Sequence, residues 1–134
     1  MNTSPEEGPP GAGGKRRRVY ADSPFEQRYG FCRAVRVGNR VVVSGTAPIW
    51  PDGSCDPDPG VQARRCLEII DGALSELGAS ASDVVRTRML ITDPTIADAV
   101  GSVHHEFFSD SHPASSMVVV AALIDERFWV EIEA

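Results

Sequence analysis

The chain has 134 residues and a mass of 14.4 kDa, with 42% hydrophobic and 24% charged residues. This length fits one domain with a buried core, and the sequence contains no apolar run long enough to span a membrane. The net charge of −6 argues against a nucleic-acid-binding protein, because an acidic body repels phosphate backbones.

The N-terminal segment differs in composition from the rest of the chain. Residues 1–17, MNTSPEEGPPGAGGKRR, are rich in proline, glycine and charge and offer almost nothing apolar to bury. We therefore expect a disordered arm over 1–17 and a single domain over 18–134. The polar start also lacks the apolar stretch of a secretory signal peptide. The basic run at 15–18, KRRR, is typical either of solvated charge or of a localisation or nucleic-acid patch.

The cysteines and histidines do not form a metal-site pattern. Cys32, Cys55 and Cys66 are odd in number and lack CxxC spacing, so we predict neither a disulfide framework nor a zinc site. His104 and His105 are adjacent on a predicted helix, about 100° apart, and cannot easily share one ion. We therefore expect no metal ion, and a reducing cytoplasm is the simplest location.

Two β-rich runs follow the N-terminal segment. They cover Cys32 to Val37 and Arg40 to Ser44, on either side of Gly38-Asn39. This dipeptide tolerates positive φ and therefore predicts a tight hairpin. Residues 50–60 then have the density of proline, aspartate and glycine that is typical of an irregular loop.

An apolar stripe at spacings of three and four predicts a helix from about Gly60 to Leu77, ended by Gly78. The stripe consists of Cys66, Ile69, Ile70, Ala73, Leu74 and Leu77. Residues 84–91 alternate instead, as a strand does. One face carries Val85, Thr87, Met89 and Ile91, and the other carries Val84, Arg86, Arg88 and Leu90. If helices cover the first face, both arginines project from the second.

A second helix and two strands complete the pattern. The turn Asp93-Pro94-Thr95 predicts a helix start, followed by apolar residues at Ile96, Val100, Val103 and Phe107. The last strands are expected at about Ser116 to Leu123 and Phe128 to Glu133. This order predicts an α+β fold with two helices on one face of a mixed β-sheet. The uncovered face retains Val84 and Leu90, so we expect self-association with closed symmetry.

Five segments, in this order, resemble the Rid family, also called YjgF/YER057c/UK114. They are VGNRVVVSGTAPI, QARRCLEIIDGALSELGASASDVVRTRMLITD, HHEFF, PASSMVVVAAL and VEIEA. The likeness covers roughly Tyr29 to Ala134. It implies a chorismate-mutase-like α+β fold and a homotrimer whose sheets line a central barrel, with clefts between neighbouring subunits.

The resemblance also implies an activity. The best-known members hydrolyse reactive enamines and imines, such as 2-aminoacrylate, to a 2-keto acid and ammonia without cofactor or metal. Other members have been described as endoribonucleases, a role that the acidic charge of this chain argues against. Glu131 matches the family's cleft glutamate, which positions or activates the attacking water. Without the resemblance, Glu131 would be read as an ordinary acid on an edge strand.

Several cleft positions depart from the family pattern. Ser115 stands where the deaminating members carry an arginine that binds the substrate carboxylate. A hydroxyl cannot replace a bidentate cation, and losing such a hydrogen bond costs about 1.5 to 3 kcal/mol. Phe31 replaces a frequent tyrosine, Gly101 a frequent asparagine, and Met117 a frequent cysteine.

We therefore predict Glu131 as the catalytic residue and a substrate-binding set around it. That set consists of Phe31, Arg88, Ser115, Ser116 and Met117. Arg88 either meets a substrate carboxylate or pairs with Glu131 or Glu133. A nucleophilic role for Ser115 would require a base within hydrogen-bond reach, and the sequence places none there. The predicted function is hydrolysis of a small imine or enamine that lacks the usual carboxylate; the alternative is a non-catalytic, small-ligand-binding regulatory trimer.

Overall fold

The structure is a computed structural model that describes residues 2–7, by their backbone alone, and residues 15–134. Its strands and helices are β1 (Asn2–Glu7), β2 (Lys15–Tyr20), α1 (Pro24–Tyr29), β3 (Ala34–Val37), β4 (Arg40–Val43), α2 (Pro59–Glu76), β5 (Arg86–Ile91), α3 (Ala97–Phe108), β6 (Ala114–Val119) and β7 (Val130–Glu133). Short 3-10 turns lie at Ala81–Asp83 and Pro94–Ile96.

The strands form two sheets that meet at one edge. Strands β1 to β4 are antiparallel in chain order, whereas β5 lies between β6, which is parallel to it, and β7, which is antiparallel. The sheets join where Thr46 bridges Ile132 and the Val43 amide donates to the Ala134 carbonyl at 2.7 Å. Helices α2 and α3 pack against each other, and their apolar sides share one core with the strands. The predicted α+β class and mixed pairing are confirmed.

Helix α2 forms where the apolar stripe predicted it. Asp58 caps its start by accepting a hydrogen bond from the Val61 amide at 2.9 Å. Its stripe is buried from Cys66 to Leu77, apart from the half-buried Ile69, and Gly78 follows with φ of +77°. Its outer face is polar. Within the described part of the chain, no helix has both the length and the apolarity needed to cross a membrane.

The hairpin between β3 and β4 is also confirmed. Gly38 occupies the turn with φ of +57°, a conformation that a glycine adopts at little cost. The strands are one or two residues shorter than predicted because Cys32 and Arg33 precede β3 and Ser44 follows β4. The segment from Phe31 to Arg33 therefore leads into the sheet from α1.

The structure describes only part of the N-terminal segment, for which the sequence predicts a disordered arm over 1–17. Residues 1 and 8–14 of that predicted arm lie outside the described residues, whereas 2–7 and 15–17 belong to two paired strands. Strand β2 also pairs with β3 and buries Val19 completely. Sheet pairing satisfies the backbone hydrogen bonds of a segment that has few apolar side chains of its own. Strand β2 crosses the predicted boundary at Arg18, and the disordered arm over 1–17 and the single domain over 18–134 stay predictions.

The predicted alternation over 84–91 holds only from Arg86 onward. Thr87, Met89 and Ile91 face the core, and Arg86 and Arg88 are exposed, as predicted. The two preceding valines were assigned to the wrong faces, because Val84 is buried and Val85 is 79% exposed. They lie between the 3-10 turn and the strand, where the two-residue period of a strand does not yet apply.

The sequence pattern missed α1, and it overextended the last two strands. Ser23 caps α1 by accepting from the Phe25 amide at 3.3 Å, with Pro24 in the first turn and Gly30 at φ of +76° after it. These are ordinary helix signals in a helix of only six residues. The last strands extend over 114–119 and 130–133, and the intervening segment has no regular structure.

The sheet face opposite α2 and α3 keeps apolar side chains at the surface. Val42 and Val118 are 46% and 38% exposed, and Leu90 between them is half-buried. Glu131 is the cross-strand neighbour of Leu90, and Glu133 that of Arg88. We call this surface the open face; it combines apolar area with charges of both signs.

Candidate functional site

Glu131 lies on the open face with its carboxylate against the backbone of Gly45. Its neighbours Val130 and Ile132 are completely buried on the core side, so alternation along β7 directs Glu131 to the other side. Its Oε2 atom is 2.8 Å from the position that a Cβ on residue 45 would occupy. This approach requires a glycine at position 45.

Arg33 is the second charged group at this place, and the sequence analysis did not identify it. Its Nη2 donates to the Gly45 carbonyl, whereas its Nε is buried without a hydrogen-bond partner among the described residues. Burial lowers the pKa of Arg33, and the carboxylates of Glu26 and Glu131 oppose that shift. Two acids thus already offset this guanidinium charge. No local pattern indicated this role, because Gly45 and Glu131 are 12 and 98 positions away along the chain.

The surroundings of Glu131 favour its protonated form more than water does. Burial raises the pKa of Glu131 above its ordinary value, Arg33 opposes the shift, and Glu133 adds to it. A carboxylate with a raised pKa is a stronger base when it is ionised, which suits proton abstraction from water. The cluster of Gly45, Arg33 and Glu131 can therefore accept a proton in a partly dry setting.

Ser115 lies on the core side of the sheet, at the exposed edge strand β6. Strand register places it opposite Thr87, whose Oγ1 donates to Ser115 Oγ at 2.7 Å. The same Thr87 oxygen is 2.8 Å from His104 Nε2 on α3. The direct partner of Ser115 is therefore a hydroxyl, and the nearest imidazole, that of His104, lies two hydrogen bonds away, beyond the direct reach that a nucleophilic serine would need. The sequence could not show this, because the bonds join residues 17 and 28 positions apart.

His104 is held in a partly apolar setting. Its ring packs on that of Phe108 with centroids 4.7 Å apart. Burial lowers the pKa of His104, and the neighbouring His105 adds to that effect. The imidazole is therefore mainly uncharged at neutral pH.

Met117 shares the core side of β6 with Ser115. Its Cε atom lies 3.9 Å from the position of a Cβ on Gly101 in α3, which is an ordinary contact distance. The methionine side chain therefore extends over the helix at its glycine. Ser115 and Met117 form one wall, made of a hydroxyl and a thioether.

Ser116 and Arg88 point to the open face instead. Ser116 Oγ accepts from Arg86 Nη2 at 3.1 Å, so its side chain is on the side away from Ser115. Arg88 Nη1 is 3.9 Å from Glu133 Oε1, and both side chains remain substantially exposed. Of the two roles considered for Arg88, this geometry matches the pairing with an acid. An exposed pair of this kind contributes little to stability.

Phe31 lies apart from both groups, beside α1. It is 39% exposed and borders an open groove of about 730 Å³, whose lining residues all lie between Arg18 and Cys32. Glu26 also borders this groove; one of its carboxylate oxygens accepts from the Ala21 amide at 2.8 Å, and the other is buried without a partner among the described residues. Phe31 is three residues before the start of β3 and two residues before Arg33.

One chain divides the predicted site residues between two sheet faces, with Glu131, Arg88 and Ser116 on the open face and Ser115 and Met117 on the core side. Glu131 shares a sheet face with Leu90, whereas Ser115 shares the opposite face with Thr87. The two residues also lie on strands that flank β5 on different sides. In the described ranges, no group of three His, Cys, Asp or Glu side chains is placed to hold a metal ion. Within one chain, Glu131 and Ser115 therefore face opposite sides of the sheet.

Comparisons with known proteins agree on one family. The family model described as Endoribonuclease L-PSP matches residues 22–134. An uncharacterized protein of Streptomyces coelicolor is 36% identical over 118 residues, covering 87% of this chain and 88% of that protein. The 2-iminobutanoate/2-iminopropanoate deaminase of Escherichia coli is 30% identical over 108 residues, covering 78% and 84%. The crystal structure of Rv2704 from Mycobacterium tuberculosis, described as a member of the YjgF/YER057c/UK114 family, matches with a TM-score of 0.81 and 42% identity, covering 88% and 95%.

Proposed function

Because the chain belongs to the Rid (YjgF/YER057c/UK114) family, we propose that it hydrolyses a small reactive imine or enamine that lacks the usual carboxylate. Relatives named 2-iminobutanoate/2-iminopropanoate deaminase support an imine-hydrolysing chemistry at the level of the family. The substrate of this chain is proposed to differ because Ser115 stands where those enzymes carry arginine.

The observation that carries the proposal is the environment of Glu131. Its carboxylate is half-buried, fixed against the Gly45 backbone, and near a guanidinium. Ionised Glu131 would take a proton from a water molecule as the water oxygen bonds to the C=N carbon, and would return that proton to the nitrogen. The carboxylate would then take the hydroxyl proton of the resulting carbinolamine and pass it to the nitrogen as the C–N bond breaks, so that the nitrogen leaves as ammonia and the oxygen becomes a carbonyl. The residue acts as a general base and needs neither cofactor nor metal.

We also propose a homotrimer with a cleft between neighbouring subunits. Self-association would cover the apolar side chains of the open face, namely Leu90, Val42 and Val118. It would also allow Glu131 of one copy to approach Ser115 of the next, which the sheet prevents within one chain. The proposed assembly would thus bury the apolar side chains of the open face and bring Glu131 and Ser115 into one cleft.

Two arginines near these residues, Arg33 and Arg88, do not offer an evident substitute for the missing cation. Arg33 is near two acids, and Arg88 pairs with Glu133. A substrate carboxylate would have to compete with protein carboxylates for either guanidinium. The geometry therefore favours a substrate without a carboxylate.

The alternative is a non-catalytic trimer that binds a small ligand. The exposed hydroxyl of Ser115, in place of a cation, is the observation that favours it. Ammonia release distinguishes the two, measured with 2-iminopropanoate and with small uncharged imines generated in the assay. We expect turnover of the uncharged imines and a loss of about 10²- to 10⁴-fold in Glu131→Gln.

Glu68→Gln, on the exposed side of α2, is the matched control and should retain full activity. Ser115→Arg should shift turnover toward 2-iminopropanoate. Rapid turnover of 2-iminopropanoate by the wild type would refute the proposed substrate class. If no imine releases ammonia while light scattering shows an intact trimer, the ligand-binding alternative would be favoured. Steeply salt-dependent RNA binding would instead indicate a nucleic-acid role.

A further inference from the structure

The three groups behind Ser115 have a defined hydrogen-bond direction. A threonine hydroxyl has one proton, and Thr87 gives it to Ser115. The Thr87 oxygen must then accept from His104, which requires a proton on Nε2. Ser115 accepts from Thr87, so its own proton remains available to a ligand at the exposed edge of β6. The chain of bonds therefore ends in an outward donor.

The fold holds this arrangement in place before any ligand binds. Thr87 is completely buried on the central strand β5, and His104 is fixed between Thr87 and the Phe108 ring. Serial hydrogen bonds polarise one another, so the terminal hydroxyl is a better donor than an isolated serine. Little ordering is needed when a ligand accepts from it.

We propose that His104, Thr87 and Ser115 form a neutral hydrogen-bond relay that recognises an uncharged acceptor on the ligand, such as an amide carbonyl. The inference rests on the proposed function insofar as that function places Ser115 in the ligand cleft. The inference adds to that function the chemical group of the ligand that Ser115 would bind and the two residues, His104 and Thr87, that orient Ser115.

The charge state of the wall explains this preference. Burial keeps the imidazole largely uncharged at neutral pH, and His105 further disfavours a positive charge on it. A carboxylate brought to the relay would lose hydration without meeting a cation. A neutral carbonyl loses far less and gains one hydrogen bond from Ser115. The relay therefore selects against anions as well as for neutral acceptors.

A matched pair of probes tests the proposal without requiring catalysis. Pyruvamide and pyruvate have nearly the same shape, but only pyruvate carries a charge. We expect pyruvamide to bind the wild type more tightly than pyruvate, as measured by NMR titration of the intact protein. Ser115→Ala and Thr87→Val should weaken pyruvamide binding about three- to tenfold, with little effect on pyruvate.

Three further variants separate the relay from general structural effects. Thr87→Ser retains the hydroxyl and should restore pyruvamide affinity relative to Thr87→Val. His104→Gln should weaken it, whereas His105→Gln, on the exposed neighbouring residue, should not. Ser115 is exposed on an edge strand, so Ser115→Ala keeps the test valid if Thr87→Val fails to fold.

The outcomes distinguish this inference from the proposed function. Equal affinity for the two probes, no binding of either probe, or wild-type pyruvamide affinity in Ser115→Ala would overturn the relay. Probe selectivity without imine turnover would leave the relay standing and reject the hydrolase. Turnover that depends on Glu131 but not on the relay residues, without selectivity between the two probes, would support the hydrolase and reject the relay.

Discussion

Replacement of Gly45 by alanine would test whether the position of the Glu131 carboxylate sets the activity. The added Cβ would lie 2.8 Å from Oε2, 3.4 Å from Cδ and 3.8 Å from Cγ. Since nonbonded heavy atoms pack best at about 3.5 to 4.0 Å, the oxygen would have to move by roughly half an ångström or more. Only the tip of a flexible side chain is strongly crowded.

The expected effect is large on catalysis and small on stability. Gly45 does not have positive φ, so alanine suits its backbone and restricts the unfolded chain by about 0.4 to 1 kcal/mol. This gain roughly offsets the local crowding, and we expect the free energy of unfolding to change by less than about 1 kcal/mol. A reacting group misplaced by about 1 Å can cost 10²-fold, so we expect kcat/KM to fall about tenfold or more.

A double-mutant cycle identifies the cause. We would measure kcat/KM for an uncharged imine and thermal unfolding for the wild type, Gly45→Ala, Glu131→Gln and the double variant. If Gly45→Ala acts through the carboxylate, it should cost nothing further in the Glu131→Gln background. If Gly45→Ala lowers kcat/KM equally in the wild type and in Glu131→Gln, the effect comes from the backbone and not from the carboxylate. Wild-type activity of Gly45→Ala would refute the reasoning about carboxylate position.

Four other predictions concern titration and assembly. Because burial raises the pKa of Glu131, its stability contribution is complete below the unfolded pKa of about 4.5 and is lost as pH rises through the folded pKa. Glu131→Gln should therefore stabilise the protein against denaturant at neutral pH and lose that advantage in acid; a constant advantage would contradict the raised pKa. The His104 pKa, followed by NMR, should lie below 6.5 and rise in His105→Gln; a pKa at or above 6.5 would contradict the burial argument. If each cleft takes Glu131 from one subunit and Ser115 from the next, co-refolding equal amounts of Glu131→Gln and Ser115→Trp, which blocks the cleft, should restore activity. About a quarter of the clefts would then have both native residues, since each cleft draws its two subunits at random. No recovery of activity in mixed trimers would argue against sharing. Val118→Arg should abolish the proposed trimer, as measured by light scattering, and turnover with it; an intact trimer in this variant would argue against assembly through the open face.

The elements that the sequence predicted well are those fixed by local patterns. Helix α2 has a long stripe and a capping aspartate, and the hairpin has Gly38-Asn39 between two β-rich runs. Helix α1 was missed although Ser23 and Pro24 are ordinary start signals, because six residues contain too few turns for periodicity. Val84 was misplaced because a strand pattern was extended into a turn.

The candidate site was less predictable because its contacts are distant in the chain. The resemblance directed attention to Glu131 and Ser115, but not to Arg33, Thr87 or His104. Each of these acquires its role from a partner on another element, such as Thr87 on β5 with His104 on α3. Periodicity can place a side chain on a face, but it cannot identify the side chain that crosses to meet it.

The location of Ser115 on an edge strand also has an evolutionary consequence. A residue at such an edge contacts few packed neighbours, so most side chains can replace it at little cost in folding. Glu131 lies instead against the Gly45 backbone, where a change in size is felt at once. If Ser115 contacts the ligand and Glu131 activates water, as we propose, ligand preference can drift by single substitutions at Ser115 while Glu131 stays fixed, so one scaffold can acquire new substrates without first gaining stability.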